Sequence, residues 1–134
     1  MSIKRIALSL ACSASLAPLA GGTLLADESD WRIYSEEGNG DVYFFDATRV
    51  NSKPNVHEVW TRIRYKTSVM GASSYQSLLE VNCSERSERI LQRTFFSDEH
   101  WSEPAMSTDT KAKPTRSIRE GSATERLSDI LCTP

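Results

Sequence analysis

The chain has 134 residues with 16 Lys or Arg and 18 Asp or Glu, which gives a formal net charge of −2 at pH 7. A net negative charge argues against a dedicated nucleic-acid binder, because such proteins are usually basic overall. The length suits one small domain with a modest core. No Ser nucleophile elbow and no Gly-rich phosphate loop appears in the sequence, so we expect neither an enzyme nor a bound cofactor.

Residues 1–26 have the layout of a secretory signal peptide. Lys4 and Arg5 form the positive start, an apolar run follows, and small residues lie near the end. Serines and a proline interrupt the apolar run, which is too short for a comfortable membrane span. We expect cleavage after Ala26, with a site nearer Gly22 as the alternative, so that residues 27–134 form the mature domain.

Three cysteines are present, and the first of them, Cys12, lies inside the signal segment. Cys12 comes too early and out of register for a bacterial lipidation signal, which favours its removal with the signal; lipidation is the alternative. The mature chain then has 108 residues, with 14 basic and 18 acidic side chains and a net charge of −4. An exported chain with two remaining cysteines, Cys83 and Cys132, favours a disulfide between them.

The central part of the sequence predicts an antiparallel meander with short links rather than alternating βαβ units. Five strands are predicted from aromatic, β-branched and alternating residues: Trp31–Tyr34, Asp41–Asp46, His57–Thr67, Ser74–Cys83 and Arg89–Phe96. Turns are expected at residues 38–40 and at Pro54 and Asn55. The segment from Asp46 to Asn55 is interpreted as a break between the second and third strands.

The predicted third strand, HEVWTRIRYKT, is the clearest. One face would carry Val59, Thr61, Ile63 and Tyr65, and the other would carry Trp60, Arg62, Arg64 and Lys66. The second set is a candidate binding stripe for sulfated sugars, anionic lipid or an acidic protein patch. The favoured interpretation is plainer: this is the solvated face of a sheet, with Glu58 and Glu80 as ion-pair partners. In a sheet closing towards a barrel, Trp60 would instead face inwards.

In the C-terminal part only the last segment has a clear secondary-structure pattern. Residues 97–121 are polar and have no strong pattern, apart from a possible short strand near Thr115–Arg119. Ser122 and Glu125 then form a capping box. The helix that they begin would end at Cys132 and place four apolar residues on one face, at positions Ala123, Leu127, Ile130 and Leu131.

The sequence does not favour a catalytic or metal-binding role for the histidines, and it favours a core role for the aromatic residues. His57 and His100 each sit beside a glutamate, but neighbouring residues on a strand point to opposite faces, so a catalytic pair is not favoured. Two histidines without a nearby cysteine pair do not favour zinc. A core is expected from seven aromatic residues: Trp31, Tyr43, Phe44, Phe45, Phe95, Phe96 and Trp101. Phe44-Phe45 and Phe95-Phe96 would each send one ring to each face of the sheet, so one ring of each pair would be exposed or cover the helix. Exposed rings and open sheet edges are candidate self-association surfaces.

Together these features resemble the surface-adhesin protein E domain of Gram-negative bacteria. The resemblance is carried by Trp31, by the aromatic strand ending in Asp46, by the Val59-Trp60 pair, by the Tyr75 strand leading to Cys83, and by the run GSATERLSDILC that closes on Cys132. It spans Trp31 to Cys132. It implies an α+β, mainly β domain: a bent antiparallel sheet of about five to six strands, close to an incomplete barrel, with one C-terminal helix tied by the disulfide.

The resemblance also implies a function. It points to an exported, non-enzymatic binding domain that recognises a protein partner, either a host matrix or an envelope protein, or an acidic matrix partner. The chain departs from the family pattern at the weak lipidation signal, and at Arg119 and Glu120, where proline is usual. A periplasmic inhibitor or envelope-assembly factor is the alternative, and a small hydrolase is less favoured. We therefore expect export to the periplasm or cell surface of a Gram-negative bacterium, with no membrane span in the mature chain.

Overall fold

A computed structural model describes residues 28–102 and 104–134 of the chain. The predicted signal peptide, Cys12 and the cleavage site after Ala26 lie outside these residues. The described part contains seven strands and one helix: β1 (Trp31–Glu36), β2 (Val42–Lys53), β3 (Val56–Val69), β4 (Ala72–Asn82), β5 (Ser87–Phe96), β6 (Ala105–Asp109), β7 (Arg116–Ser117) and α1 (Ala123–Cys132).

The strands form one antiparallel meander, as predicted. The order in the sheet is β1-β2-β3-β4-β5-β6, and the two-residue β7 pairs with β5 off this path. Within the described residues β1 and β6 do not pair with each other, so the sheet stays open. The predicted fold class, mainly β with one C-terminal helix, is confirmed. Self-association through the open edges stays a prediction.

The predicted break after Asp46 is wrong, because β2 continues to Lys53. The pairing of β2 with β3 shifts register between Phe45 and Val50. Such a bulge lets a strand take extra residues without losing its partner. The turn at Pro54 and Asn55 is confirmed, and Asn55 there adopts a positive φ of 67°.

The segment 97–121 contains one strand that the sequence did not reveal. Strand β6 pairs its main chain with β5 from Arg93 to Phe96, although its own side chains are mostly exposed. An exposed edge strand needs no alternation of apolar and polar residues, so the hydropathy pattern of this segment did not indicate a strand. The short strand expected near Thr115–Arg119 is present as β7.

The core lies between one face of the sheet and α1, and we call this the inner face. Its buried members are Phe45, Val59, Leu79, Val81 and Leu127. Of the seven aromatic residues expected in the core, only Phe45 is buried, at 6% exposure, and the other six are half-buried. Tyr43 and Phe95 lie on the inner face but beside a cavity. Phe44 lies on the opposite face from Phe45, as the alternation of this pair predicted.

The C-terminal helix begins and is fastened as the sequence predicted. The hydroxyl of Ser122 accepts a hydrogen bond from the Glu125 amide at 3.2 Å, and the Glu125 carboxylate accepts one from the Gly121 amide at 3.1 Å. Leu127 is fully buried, whereas Ile130, expected on the same face, is 48% exposed. The predicted disulfide joins Cys83 after β4 to Cys132 at the helix end, with a Cα–Cα distance of 5.6 Å.

Candidate functional site

The predicted alternation along β3 is confirmed. Val59 and Thr61 are buried on the inner face, at 0% and 3% exposure. The candidate residues Trp60, Arg62, Arg64 and Lys66 lie on the opposite, outer face. Trp60, Arg62 and Arg64 are half-buried, and Lys66 is exposed. Trp60 therefore does not face inwards.

The outer face carries a continuous series of cationic and aromatic side chains, which we call the tryptophan–arginine ladder. Its members in spatial order are Trp60, Arg49, Trp31, Arg62, Trp101, Phe44 and Arg64. All three tryptophans of the chain belong to it. Each arginine lies within about 6 Å of at least one ring centroid, the range in which a cation is attracted by a ring face.

Arg62 occupies the centre of the ladder. Its guanidinium carbon lies 4.2 Å from the ring centroid of Trp31 and 4.8 Å from that of Trp101. Its Nε also donates a hydrogen bond to Gln76 Oε1 on β4 at 2.8 Å. Arg62 is thus held between two indoles, and its role in the face is to fix the rings as well as to supply charge.

Arg49 extends the ladder to Trp60 and is fixed by a buried carboxylate. It lies 5.6 Å from the centroids of both Trp31 and Trp60. Its Nε donates to Oδ2 of Asp46, whose side chain has no exposed surface. Asp46 Oδ1 accepts three further hydrogen bonds, from the Thr48 amide at 2.9 Å, the Thr48 hydroxyl at 2.6 Å and the Asp30 amide at 3.1 Å.

These hydrogen bonds determine the charge state of Asp46. Burial by itself would raise the pKa of Asp46, since it disfavours the charged carboxylate. The hydrogen bonds from Thr48, Arg49 and Asp30 outweigh burial and hold the pKa of Asp46 well below its usual range. Asp46 is therefore an anion at physiological pH and anchors Arg49 between the two tryptophans.

Trp101 comes to the ladder from the loop after β5. Its Nε1 donates to the Tyr75 carbonyl oxygen at 3.0 Å, and its ring meets Phe44 edge to face at 5.7 Å. Asp98 closes the loop by accepting hydrogen bonds from the amides of His100 and Ser102, both at 3.1 Å. The segment 97–102 therefore places an aromatic side chain on the outer face.

The far end of the ladder is more open. Arg64 lies 5.5 Å from the Phe44 ring centroid, and the exposed Lys66 follows it along β3. The Lys66 amide donates to Asp41 Oδ1 at 2.9 Å. Gly40, with φ +94°, lies so close to the Lys66 stem that an added Cβ would meet Lys66 Cγ at 2.9 Å. Arg64 and Lys66 form this end of the stripe, and of the two only Lys66 is exposed.

Sequence reasoning found four residues of this face but missed four ladder members, and one of these, Phe44, was expected in the core. Trp31 and Trp101 were assigned to the core, and Arg49 to a break between strands. A continuous β2 would have placed Arg49 beside β3, but the polar segment after Phe45 hid it. Glu80, an expected ion-pair partner of the stripe, instead pairs with Arg89, with 3.1 Å between Glu80 Oε2 and Arg89 Nη2. Beside Trp60, a groove of about 310 Å³ is lined by residues that include Arg49, Asn51 and Glu58.

The expectation that no cysteine pair lies near a histidine is wrong. Ligand atoms of His57, Cys83 and Cys132 all lie within 4.8 Å of one another. The two sulfurs are joined in the disulfide, so they offer no thiolates, which are the form in which cysteine binds metals. His57 Nδ1 also lies 2.8 Å from Ser52 Oγ. Within residues 28–102 and 104–134 no carboxylate bonds to the other ring nitrogen of His57, whereas a catalytic Ser–His pair normally has such an orienting group.

Comparisons with known proteins agree on one relationship. A family model described as surface-adhesin protein E matches residues 31–133. Two solved structures of Haemophilus influenzae protein E are similar: one at 14% identity with a TM-score of 0.55, covering 67% of this chain and 76% of the other. The second crystal form of the same protein is 15% identical, with a TM-score of 0.53, and the match covers 67% of this chain and 79% of the other.

No curated protein matches the sequence significantly. In the described part of the chain, no helix has the length and apolar character needed to cross a membrane.

Proposed function

Because the chain belongs to the surface-adhesin protein E family, we propose that it is an exported, non-enzymatic binding domain. Residues 1–26 serve as its signal peptide, and residues 27–134 form the binding domain. The partner is a protein or matrix component with an acidic surface, bound by the outer face of the sheet.

The tryptophan–arginine ladder is the observation that supports this proposal most. Tryptophan and arginine are the residue types that most often dominate binding energy at protein interfaces. Here their side chains are fixed in advance by stacking and by the Asp46–Arg49 pair, so a partner need not order them. Pre-ordered contact groups reduce the entropy cost of association. The ladder with Lys66 has four basic side chains, and because Arg49 is paired with the Asp46 carboxylate, the net positive charge comes from Arg62, Arg64 and Lys66.

The proposal separates two roles within the predicted stripe. Arg62 holds the ladder together, since two indoles and Gln76 surround it. Arg64 and Lys66 lie at the open end, where a partner's carboxylate or sulfate can reach them. Trp60 and the groove beside it form the opposite end of the same surface.

A binding experiment with heparin, a sulfated polyanion, tests the electrostatic part. The double variant Arg64→Gln with Lys66→Gln should bind about tenfold more weakly and show a flatter dependence on salt. The matched control, Lys53→Gln with Lys111→Gln, removes the same charge from exposed residues outside the ladder and should change binding little. Equal weakening in both variants would mean that net charge alone, and not this face, governs binding.

Location in the cell tests the exported adhesin role. Intact cells are treated with protease, and the remaining protein is detected with an antibody against the mature domain. Loss of the protein from intact cells would support surface display. Protection until the outer membrane is opened would place the protein in the periplasm and turn the search for partners towards envelope proteins. If mass spectrometry finds residues 1–26 still attached to the protein isolated from cells, the signal-peptide assignment is contradicted.

A further inference from the structure

A cavity on the inner face is separate from the binding face proposed above. It has a volume of about 540 Å³ and lies between the sheet and the start of α1. Its walls come from β1 to β5, from β7 and from the first residues of α1. Pockets of roughly 300–1,000 Å³ are the usual size of small-molecule sites. The cavity is therefore large enough for an organic ligand, and the outer-face ladder does not contribute to it.

The charged side chains of the cavity have an excess of positive charge. Three arginines line it, Arg93, Arg116 and Arg119, against a single carboxylate, Glu88. Glu88 is 5% exposed and is already bound by Arg116, whose Nε donates to Oε1 at 2.7 Å. The pair with Arg116 neutralises the carboxylate, which leaves Arg93 and Arg119 as the net charge of the lining.

Arg93 is the lining arginine with a shielded donor that has no acceptor in the described part of the chain. Its Nε is shielded from solvent and has no hydrogen-bond partner within the described residues. Asp109 faces Arg93 across the β5–β6 pair, but its carboxylate is bonded by Lys113. A shielded N–H without an acceptor is costly, so an anionic ligand oxygen would gain from this position.

The remaining lining combines hydroxyl donors with an apolar wall. Burial raises the pKa of Tyr34, Tyr43 and Tyr75, and it raises that of Tyr65 to about 12. All four phenols are therefore protonated at neutral pH and can donate hydrogen bonds. The apolar part of the wall comes from four residues: Ile63, Leu79, Ile90 and Phe95. A few polar groups beside an apolar wall are the usual composition of a small-molecule site.

We propose that this cavity binds a small amphipathic carboxylate, with its anionic group at Arg93 and Arg119 and its apolar body against the aliphatic and aromatic wall. A cationic ligand of the same shape is disfavoured by the excess of guanidinium groups. A fully polar anion would leave the apolar wall unused. The site is independent of the outer face, so failure of the adhesin proposal does not remove it.

Isothermal titration calorimetry with dodecanoate, below its micelle concentration, tests the site. Dodecylammonium, which has the same chain and the opposite charge, is the comparison ligand. We expect one dodecanoate per chain, bound about tenfold more tightly than dodecylammonium. Equal affinity for the two, several molecules per chain, or no binding of dodecanoate would overturn the proposal.

Variants locate the binding within the molecule. Arg93→Gln and Arg119→Gln should each weaken dodecanoate binding about tenfold, since each removes a charge-assisted hydrogen bond. Arg119 is exposed, so its replacement leaves the fold intact and keeps the test informative if Arg93→Gln does not fold. Ser117→Trp should block the cavity and abolish binding. Arg32→Gln, an exposed arginine outside the lining, is the control and should bind normally. Normal affinity in both Arg93→Gln and Arg119→Gln would refute the assignment.

Discussion

Replacing Asp46 with Asn tests how the outer face is held. The substitution keeps the shape of the side chain and removes its charge. A carboxamide can still accept the hydrogen bonds from Thr48 and Asp30 through its oxygen, but its amino group then faces Arg49 Nε, donor against donor. Hydrogen bonds to charged groups contribute about 1.5–3 kcal/mol, and neutral ones about 0.5–1.5 kcal/mol. Losing the bond to Arg49 and weakening the others should therefore cost about 2–3 kcal/mol.

The effect of Asp46→Asn should depend on pH in a defined direction. The pKa of Asp46 in the folded protein lies below that of an unfolded Asp, which is about 3.9. The stabilisation is therefore fully present above the unfolded value and is lost as the pH falls towards the folded value. The difference in unfolding free energy between the two proteins should be constant from pH 7 to pH 5. It should then shrink steadily below pH 4.

Urea unfolding measured by two signals gives the readout. Tryptophan fluorescence reports the ladder, because all three tryptophans lie in it, and far-ultraviolet circular dichroism reports the sheet. The control is Asp109→Asn, which removes a half-buried carboxylate that is bonded to Lys113 on an edge strand and should change stability little. A loss for Asp46→Asn below about 0.5 kcal/mol, or a difference that is the same at pH 7 and pH 2.5, would refute the reasoning.

The same unfolding assay checks four further predictions. Removing the disulfide by Cys83→Ala with Cys132→Ala opens a 49-residue separation and should cost up to about 4 kcal/mol on the chain-entropy model; an unchanged midpoint would contradict it. Ser122→Ala should cost about 1 kcal/mol through the lost cap, with no loss for Ser122→Asp. Leu127→Ala should cost about 2–5 kcal/mol, since the side chain is fully buried. Arg62→Ala should cost about 1–3 kcal/mol and shift tryptophan emission, whereas Arg62→Lys should keep part of the stacking.

The sequence predicted the elements whose signals are local. Alternation placed the two faces of β3 correctly, and Ser122 with Glu125 marked the start of α1. It did not predict the continuation of β2, because the buried Asp46 looks like a turn residue in sequence. Its hydrogen bonds from Thr48 are local, but the bond from the Asp30 amide forms only when the segment leading into β1 lies beside β2.

Only the part of the candidate site that lies on β3 was predicted from the sequence. Reading β3 alone gave Trp60, Arg62, Arg64 and Lys66 as a stripe facing solvent. The rings that flank Arg62 come from Trp31 and Trp101, which are 29 positions before Trp60 and 41 after it in the sequence. No spacing rule connects residues so far apart, because the sheet and the loop after β5 bring them together. Prediction of a charged face is therefore possible from one strand, but prediction of its stacking requires the fold.

The sheet order also determines how the protein can fold. Every strand from β1 to β6 pairs with its neighbour in sequence, so the meander can be added one strand at a time as the chain emerges N-terminal end first. Leu127 and Cys132 belong to the last segment to appear, yet they complete the core and the cross-link to Cys83. The disulfide of Cys83 can therefore form only after the last turn of α1 has been made. A chain that ended before Leu127 would leave the core uncovered and Cys83 without its disulfide partner.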